Sequence, residues 1–414
     1  MGRKFMSNCL IAQSGGPTSV INASLSGALE KAMSSEGIKK IYGSINGILG
    51  ILENNIIDLT SIFENHTDKL EILKNTPGMY LGSCRFKLKD HSSDDSQFKL
   101  IFSNFEKYNI KYFFYIGGND SMDTVLKLSQ YAATNNIDIK IIGIPKTIDN
   151  DLYGIDHTPG FGSAAKFVAT SLLEIAHDTY IYSLNSLTIV EVMGRNAGWL
   201  TAASALARNQ YNEAPDLIYL PEVPFSKDRF IQDISELHKR KKNVIVAVSE
   251  GIRDESGQFI SASSCEKDSF GHVHLSGTGR TLENLALDSF NCKVRSIELN
   301  VLQRSAMHCA SLVDISEATL VGEKAVEYAL EGLTGKMVTI NRLSNNPYSI
   351  SINYIDIESV ANKERNIPRE WINKEGNYVT DEIIDYMRPL IMGEPSIPYS
   401  NGLPLYANIK HLLN

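Results

Sequence analysis

The segment IKIIGIPKTIDND, residues 139–151, joins an apolar strand to a charged loop. Residues 139–144 are mostly β-branched and stop at Pro145, which is typical of a short buried strand. Loops that follow the carboxyl ends of strands in an open parallel sheet form its ligand crevice. In such a loop, Asp149 could take a proton from a hydroxyl group, and Lys146 could lie against developing negative charge. The alternative is a turn with solvated charges, because Asp and Asn favour turns.

Two earlier segments have the same order of strand, glycine turn and helix. The first predicted strand covers residues 9–13 and leads through Ser14-Gly15-Gly16-Pro17 into a helix over about residues 18–33. The second covers residues 112–116 and is followed by Gly117-Gly118-Asn119-Asp120-Ser121. Turns of this kind direct backbone N–H groups and a helix dipole towards a phosphate, although a plain structural turn is the alternative. Together with the opening segment, these units predict a doubly wound α/β domain.

The pattern of strands and helices continues further along the chain. Helical spacing extends over residues 161–180, and further strands are predicted over residues 187–192, 243–248 and 294–299. Met193-Gly194-Arg195 follows the first of these strands, and Ser249-Glu250-Gly251 follows the second. Both motifs therefore stand where loops of an α/β sheet bind ligands.

The fold class predicted from these patterns is α/β, with two doubly wound Rossmann-like domains. The first domain is expected to comprise residues 1–161 and about 303–346, and the second to comprise residues 162–302. Residues 347–414 are rich in proline and show one clear helical stretch, near residues 380–386. They are predicted to be a C-terminal extension packed on the core.

Composition and charge exclude several classes of function. A net charge of −8 and a pI near 5.7 argue against a nucleic-acid partner, which would need a basic face. No run approaches the roughly 18 apolar residues of a membrane span, so no membrane partner is expected. The five cysteines are scattered without a C-x-x-C pair, which indicates reduced thiols rather than a disulfide framework or zinc site. These features predict a cytoplasmic protein.

Seven short motifs occur in a fixed order along the chain. They are Ser14-Gly15-Gly16, Leu81-Gly82-Ser83-Cys84-Arg85, Gly117-Gly118-Asn119-Asp120-Ser121, the loop 145–151, Met193-Gly194-Arg195, Ser249-Glu250-Gly251 and Leu302-Gln303-Arg304. In this order the sequence resembles the phosphofructokinase family from near residue 14 to beyond residue 304. Val360-Ala361-Asn362-Lys363 and Asn401-Gly402-Leu403-Pro404 look like the pyrophosphate-dependent branch of that family.

The resemblance implies reversible, Mg²⁺-dependent phosphoryl transfer from diphosphate to the 1-hydroxyl of fructose 6-phosphate, as in glycolysis and gluconeogenesis. It implies that the active site lies in the cleft between the two domains. It implies that Asp149 is the base that accepts the hydroxyl proton, assisted by Lys146 and Asp120. The residues implied to line the sugar-phosphate site are Thr147, Ile148, Asp149, Met193, Gly194, Arg195, Glu250, Val301 and Arg304. Those implied for diphosphate are Gly15 and Arg85, and those for the metal are Asn119, Asp120 and Asp151. Arg295 is implied to reach the sugar phosphate of a neighbouring subunit, so a homodimer or homotetramer is expected.

Two positions are expected to decide the phosphoryl donor. ATP-using relatives have Gly where this chain has Asp120, and Gly again where it has Lys146. An Asp120 carboxylate would stand where the α-phosphate of ATP should lie. Two unit charges about 4 Å apart repel by roughly 4 kcal/mol at an effective dielectric constant of about 20. The pair is therefore expected to favour diphosphate, with Lys146 beside the transferring group.

One departure concerns the metal. Asn119 occupies the place where most relatives have an Asp that ligates magnesium, and a neutral amide oxygen is a weaker ligand for a hard dication. Asp120, Asp151 or water are then expected to carry more of the metal contact.

Three alternative functions are compatible with the same fold. An ATP-dependent 6-phosphofructokinase is disfavoured by Asp120 and Lys146, whereas nothing in the sequence excludes sedoheptulose 7-phosphate as the acceptor. A non-catalytic regulatory subunit would be expected to lose the base or the central loop, residues 145–151. Since Asp149 and Lys146 are both present, the sequence favours an enzyme.

Overall fold

The structure is a computed structural model, and it describes residues 7–261 and 277–412. The strands in these ranges are β1 (Ser7–Gln13), β2 (Ile38–Ser44), β3 (Ile56–Asp58), β4 (Ile110–Gly117), β5 (Lys140–Pro145), β6 (Ser186–Val192), β7 (Leu217–Tyr219), β8 (Asn243–Ser249), β9 (Lys293–Glu298), β10 (Lys336–Asn345), β11 (Tyr348–Asp356), β12 (Tyr399–Ser400) and β13 (Leu403–Pro404). The helices are α1 (Ile21–Met33), α2 (Gly47–Leu52), α3 (Leu59–Phe63), α4 (Thr67–Lys74), α5 (Ser96–Lys107), α6 (Asn119–Thr134), α7 (Phe161–Tyr180), α8 (Trp199–Ala203), α9 (Lys227–His238), α10 (Thr278–Ser289), α11 (Leu312–Leu330) and α12 (Asp381–Met387).

The first sheet has seven strands in the order β11-β10-β5-β4-β1-β2-β3. Its five central strands pair in parallel, and β3 and β11 pair antiparallel at its two edges. Strands β1, β4 and β5 are apolar and almost fully buried, as expected for parallel strands covered on both faces. Their carboxyl ends lie side by side, since Gly117 of β4 pairs in register with Pro145 of β5.

The chain returns to the first sheet through α11, which packs against α1. Two glycines allow the close approach of these helices. A Cβ atom on Gly27 would lie 2.0 Å from the Thr319 carbonyl oxygen, and one on Gly322 would lie 2.1 Å from the Ser24 carbonyl oxygen. Any larger side chain at either glycine would push the two helices apart.

The second sheet has four parallel strands in the order β7-β8-β6-β9. Helix α7 leads into it and covers the same residues that helical spacing predicted, 161–180. After β6 the chain forms only the five-residue helix α8, which is followed by a short 3₁₀ turn. Both sheets are parallel-dominated and flanked by helices, as the predicted fold class requires.

The tail contains more regular structure than its sequence suggested. The predicted helical stretch near residues 380–386 is α12, whereas the strand β11 is not predicted from the sequence. This strand alternates polar and apolar residues and completes the first sheet beside β10. The abundance of proline further along the tail obscured that alternation. The domain boundaries at residues 161, 302 and 346 stay predictions.

Within the ranges that the structure describes, no helix is long and apolar enough to cross a membrane. The cysteines Cys9, Cys84, Cys292 and Cys309 are all free thiols, and Cys265 lies outside the described residues.

A buried charge cluster joins residues 156–157, which follow the central loop, to α11 and β11. His157 is 1% exposed, with Nδ1 2.7 Å from Asp156 Oδ1 and Nε2 2.6 Å from Glu317 Oε2. The Tyr348 hydroxyl donates to the other Glu317 oxygen at 2.6 Å. Burial alone would lower the pKa of His157, but the Glu317 and Asp156 carboxylates raise it from 6.5 to about 9.

This cluster predicts a loss of stability in mild alkali. Because the folded pKa of His157 exceeds its unfolded value, the contribution is complete below pH 6.5 and is lost as pH rises through 9. At about 1.4 kcal/mol per pKa unit, the free energy of unfolding should fall by about 3 kcal/mol over that window. Urea unfolding at several pH values measures this, with His157→Gln as the control. An equal fall in the variant would contradict the assignment.

Candidate active site

Three predicted ligand loops meet at the carboxyl edge of the first sheet. They follow β1, β4 and β5, which are neighbours in that sheet. The backbone N–H of Lys146 donates to the Gly117 carbonyl at 3.0 Å, and its Nζ donates to the Gly16 carbonyl at 2.9 Å. The structure therefore brings together the glycine turns and the central loop that the sequence singled out separately.

Lys146 is enclosed by this arrangement. It is 3% exposed, and burial lowers its pKa to about 8 against the opposing charges of Asp149, Asp151 and Asp120. At neutral pH the ammonium is therefore still mostly protonated. Gly15 has φ +83°, and a Cβ atom there would lie 3.1 Å from Lys146 Nζ. A glycine at this turn leaves room for a cation beside whatever the loop binds.

Asp149 lies in the same loop, braced by its neighbour Thr147. The Thr147 hydroxyl donates to Asp149 Oδ2 at 3.2 Å, and the Asp149 N–H donates to Thr147 Oγ1 at 3.1 Å. Burial raises the pKa of Asp149, although the cations Lys146, Arg195 and Arg304 oppose that shift. A carboxylate with a raised pKa is a stronger base, which suits proton removal near neutral pH.

Asn119 and Asp151 form a set of oxygens beside Asp149. Asn119 Nδ2 donates to Asp151 Oδ2 at 3.3 Å, whereas its buried Oδ1 has no hydrogen-bond partner. Burial, with the charges of Asp149 and Glu364, raises the pKa of Asp151 to about 7. Asp120 lies in the first turn of α6, partly exposed.

These oxygens fit a divalent cation bound together with substrate. Among residues 7–261 and 277–412, no group of three His, Cys, Asp or Glu side chains is arranged to hold a metal alone. Mg²⁺ typically uses one or two protein carboxylates and completes its shell with substrate phosphates and water. The orphaned Asn119 oxygen and the Asp151 carboxylate are suitable ligands for that mode of binding.

The second sheet contributes the facing wall. Met193-Gly194-Arg195 follows β6, and Glu250 follows the neighbouring strand β8. Glu250 Oε1 accepts from the Gly194 N–H at 3.4 Å, and the Met193 N–H donates to Gln303 Oε1 at 3.2 Å. Burial raises the pKa of Glu250 to about 7, and Asp149 adds to the shift. Ile148 of the loop 145–151 packs in one hydrophobic cluster with Val192 and Met193, so the end of β6 lies beside that loop.

Two guanidinium groups approach each other at the rim of this cleft. Arg304 ends a 3₁₀ turn over Asn300–Arg304, and its Nη1 would lie 3.6 Å from a Cβ on Gly16. Its pKa is lowered by burial and by the charge of Arg85. The Nε atoms of Arg304 and Arg195 are buried without hydrogen-bond partners. Arg304 and Arg195 thus each have an unused Nε donor for an oxyanion, and Arg85 adds positive charge nearby.

Three of the predicted site residues have side chains that make other contacts or face solvent. Ile148 is 6% exposed and packs in the core beside the second sheet, so its side chain serves packing. Val301 is 48% exposed on the 3₁₀ turn. Arg295 lies on the edge strand β9, where its Nη1 donates to Asp178 Oδ2 at 3.1 Å. The role of Arg295 across a subunit boundary stays a prediction.

The tail supplies contacts that sequence reasoning missed. The Arg365 N–H donates to the Asp151 carbonyl at 2.8 Å, and Asn150 Nδ2 donates to the Tyr386 hydroxyl at 3.0 Å. The nearest sequence motif is Val360-Ala361-Asn362-Lys363, which ends two residues before Arg365. No local pattern marks Arg365 or Tyr386 as neighbours of the central loop.

Residues 8–329 match the protein family described as Phosphofructokinase. The chain belongs to the phosphofructokinase family. It is 40% identical to a pyrophosphate–fructose 6-phosphate 1-phosphotransferase of Halomonas elongata, over 98% of this chain and 96% of that protein. A protein of the same name from Rhodospirillum rubrum is 43% identical over 94% of this chain and 95% of its own length.

A solved structure extends the likeness to the fold. The pyrophosphate-dependent phosphofructokinase of Nitrosospira multiformis superposes with a TM-score of 0.87 at 36% identity, covering 97% of this chain and 95% of that one. The predictions of family and fold class are thus confirmed. Phosphotransferases of the phosphofructokinase family generally need a divalent metal, which agrees with the oxygens found beside Asp149.

Proposed function

We propose that this enzyme transfers a phosphoryl group reversibly from diphosphate to the 1-hydroxyl of fructose 6-phosphate, in the cytoplasm. The products are fructose 1,6-bisphosphate and phosphate. One observation carries the choice of donor: the buried Lys146 ammonium donates to the Gly16 carbonyl at the Gly15-Gly16 turn. The charge of Asp120 partly opposes the lowering of the Lys146 pKa by burial. A short donor that ends at this point needs no space beyond Asp120, whereas ATP does.

The proposed chemistry needs positioning and charge neutralisation more than covalent steps. The acceptor's 6-phosphate would bind near Arg304, and its ring between Met193-Gly194-Arg195 and Glu250. Asp149 would accept the proton of the 1-hydroxyl as that oxygen attacks phosphorus. The bond from phosphorus to the bridging oxygen of diphosphate breaks, and phosphate leaves.

Lys146 and the metal would share the charge of diphosphate. Lys146, with a pKa of about 8, would contact the transferring group as a cation throughout the reaction. Asn119, Asp151 and Asp120 would hold Mg²⁺, which neutralises charge on the phosphate oxygens when it is bound. Gly15 and Arg85 would line the part of the site that holds the leaving phosphate.

Turnover of the purified protein with diphosphate or ATP tests the proposal. With fructose 6-phosphate as acceptor and Mg²⁺ present, diphosphate should be preferred by about a thousandfold, the equivalent of roughly 4 kcal/mol. Sedoheptulose 7-phosphate should be compared as acceptor in the same assay. A preference for ATP would overturn the donor assignment, and absence of turnover with every donor would indicate a regulatory subunit.

Arg295 allows a sharp test of assembly. If it serves a neighbour's sugar site, the protein should sediment as a homodimer or homotetramer, and Arg295→Ala should raise KM for fructose 6-phosphate and lower activity. Mixed Asp149→Ala and Arg295→Ala subunits should then regain about a quarter of wild-type activity, because half of the random dimers contain one complete site.

The exposed Arg280 of α10 provides the matched control, since Arg280→Ala removes a guanidinium from the same domain. It should leave activity unchanged. A fully active monomer, or no recovery on mixing subunits that do exchange, would contradict the role of Arg295.

A further inference from the structure

Asn150 separates the two carboxylates of the central loop and has a constrained conformation. It is fully buried with φ 55°, in the left-handed region that Asn tolerates better than most residues. Its Oδ1 accepts from the Thr158 N–H at 3.0 Å, and its Nδ2 donates to the Tyr386 hydroxyl at 3.0 Å. The orientation of Asp149 and Asp151 therefore depends on how the Asn150 side chain is held.

The Tyr386 hydroxyl joins three parts of the chain. It accepts from Asn150 and from Arg365 Nη2, both at 3.0 Å, and it donates to the Asp156 carbonyl at 2.6 Å. Arg365 in turn donates through Nη1 to the Ile155 carbonyl at 2.8 Å. Since the Arg365 N–H also binds the Asp151 carbonyl, the tail contacts the carboxyl end of the central loop and residues 155–156 beyond it.

Packing holds the Tyr386 ring in place independently of its hydroxyl. Tyr386 is 8% exposed, and its ring centroid lies 5.6 Å from that of Trp199 and 5.4 Å from that of Trp371. The Arg342 guanidinium lies 4.6 Å from the same ring. Replacing tyrosine by phenylalanine should therefore keep the packing and remove only the hydrogen bonds.

We propose that Tyr386 is a positioning residue for the phosphoryl-transfer reaction: its hydroxyl fixes Asn150 and thereby orients Asp149 and Asp151. The inference rests on the proposed function, because it assumes that this loop carries the chemistry. Tyr386 is not among the residues proposed to contact either substrate. Small displacements of a reacting group can cost on the order of a hundredfold in rate, so a lost brace should reduce turnover more than binding.

The test compares Tyr386→Phe with Tyr378→Phe in the full-length enzyme. Tyr378 is also in the tail, and its buried hydroxyl makes no hydrogen bond to the central loop. In Tyr386→Phe, kcat should fall on the order of 10- to 100-fold, with KM for both substrates within about threefold of wild type. Tyr378→Phe should change kcat by less than about twofold. An unchanged kcat in folded Tyr386→Phe, or an equal loss in Tyr378→Phe, would overturn the proposal.

Asn150→Ala removes the same contact from the other side. If Tyr386 acts through Asn150, the double variant should be no slower than the slower single variant, because without the Asn150 amide the Tyr386 hydroxyl has no side chain of the loop left to position. Fully additive losses would overturn the proposal. If Tyr386→Phe does not fold, Asn150→Ala alone carries the test, and wild-type kcat in that variant would refute it.

These results are distinguishable from failure of the proposed function. A wild-type enzyme that turns over with ATP rather than diphosphate would refute the donor assignment, while kcat could still respond to Tyr386→Phe. A wild-type enzyme that prefers diphosphate, with a Tyr386→Phe variant equally active, would refute only the positioning role.

Discussion

Asp149→Ala should lower kcat by roughly 10²- to 10⁴-fold, the usual contribution of a general base. The substitution removes the carboxylate that Thr147 braces and that lies among Lys146, Arg195 and Arg304. Because none of the proposed 6-phosphate contacts is lost, KM for fructose 6-phosphate should change by only a few fold. Steady-state kinetics with saturating diphosphate measure both quantities.

Asp149→Asn is the matched variant, since it keeps the size of the side chain and removes its basicity. It should be as slow as Asp149→Ala if proton removal is the main role of the residue. Asp254→Asn, at an exposed turn of the second domain, controls for the loss of one negative charge and should leave kcat unchanged. Near-normal turnover in a correctly folded Asp149→Ala protein would refute the assignment of the base.

Asp120→Gly should convert a strict diphosphate enzyme into one that measurably uses ATP. Removing the carboxylate relieves roughly 4 kcal/mol of repulsion against an α-phosphate about 4 Å away, by the same Coulomb argument. ATP-dependent activity should rise by as much as about a thousandfold from its basal value. Diphosphate activity should fall in the same variant, because the donor site and the proposed metal site are both disturbed. Competition assays with the two donors measure the ratio.

Three further variants separate the charge of Asp120 from its size and from the contribution of Lys146. Asp120→Asn removes the charge but keeps the size, so it should raise ATP use less than Asp120→Gly does. Lys146→Gly should mainly lower diphosphate turnover, since it removes a cation from the transition state without opening space at Asp120. The variant that combines Asp120→Gly with Lys146→Gly should show the largest ratio of ATP to diphosphate use. The effects of the two substitutions should not add. Unchanged donor preference in Asp120→Gly would leave Asp120 only the role of an acidic residue in the first turn of α6, where it favours the helix dipole.

Much of the site could be predicted from sequence because its parts are local. Each ligand loop is a short motif directly after an apolar strand, and parallel strands bring their carboxyl ends to one edge. Gly15, Lys146 and Gly117 are far apart in the chain, yet each lies where its own strand ends. The strand pattern therefore carried enough information to assemble them in one cleft.

The tertiary structure alone decided which long-range contacts support that cleft. Asn150 and Tyr386 are 236 residues apart, and Arg365 contacts the loop from the same distant segment. Similarly, Ile148 belongs to a ligand-loop motif, but its side chain fills the core beside the second sheet. Hydrogen bonds and packing between distant segments depend on how whole elements dock, and no local pattern of residue types records that geometry. The sequence by itself determined the strands and turns around the ligand loops and the chemistry of each loop, while docking of the tail determined which distant side chains contact the central loop.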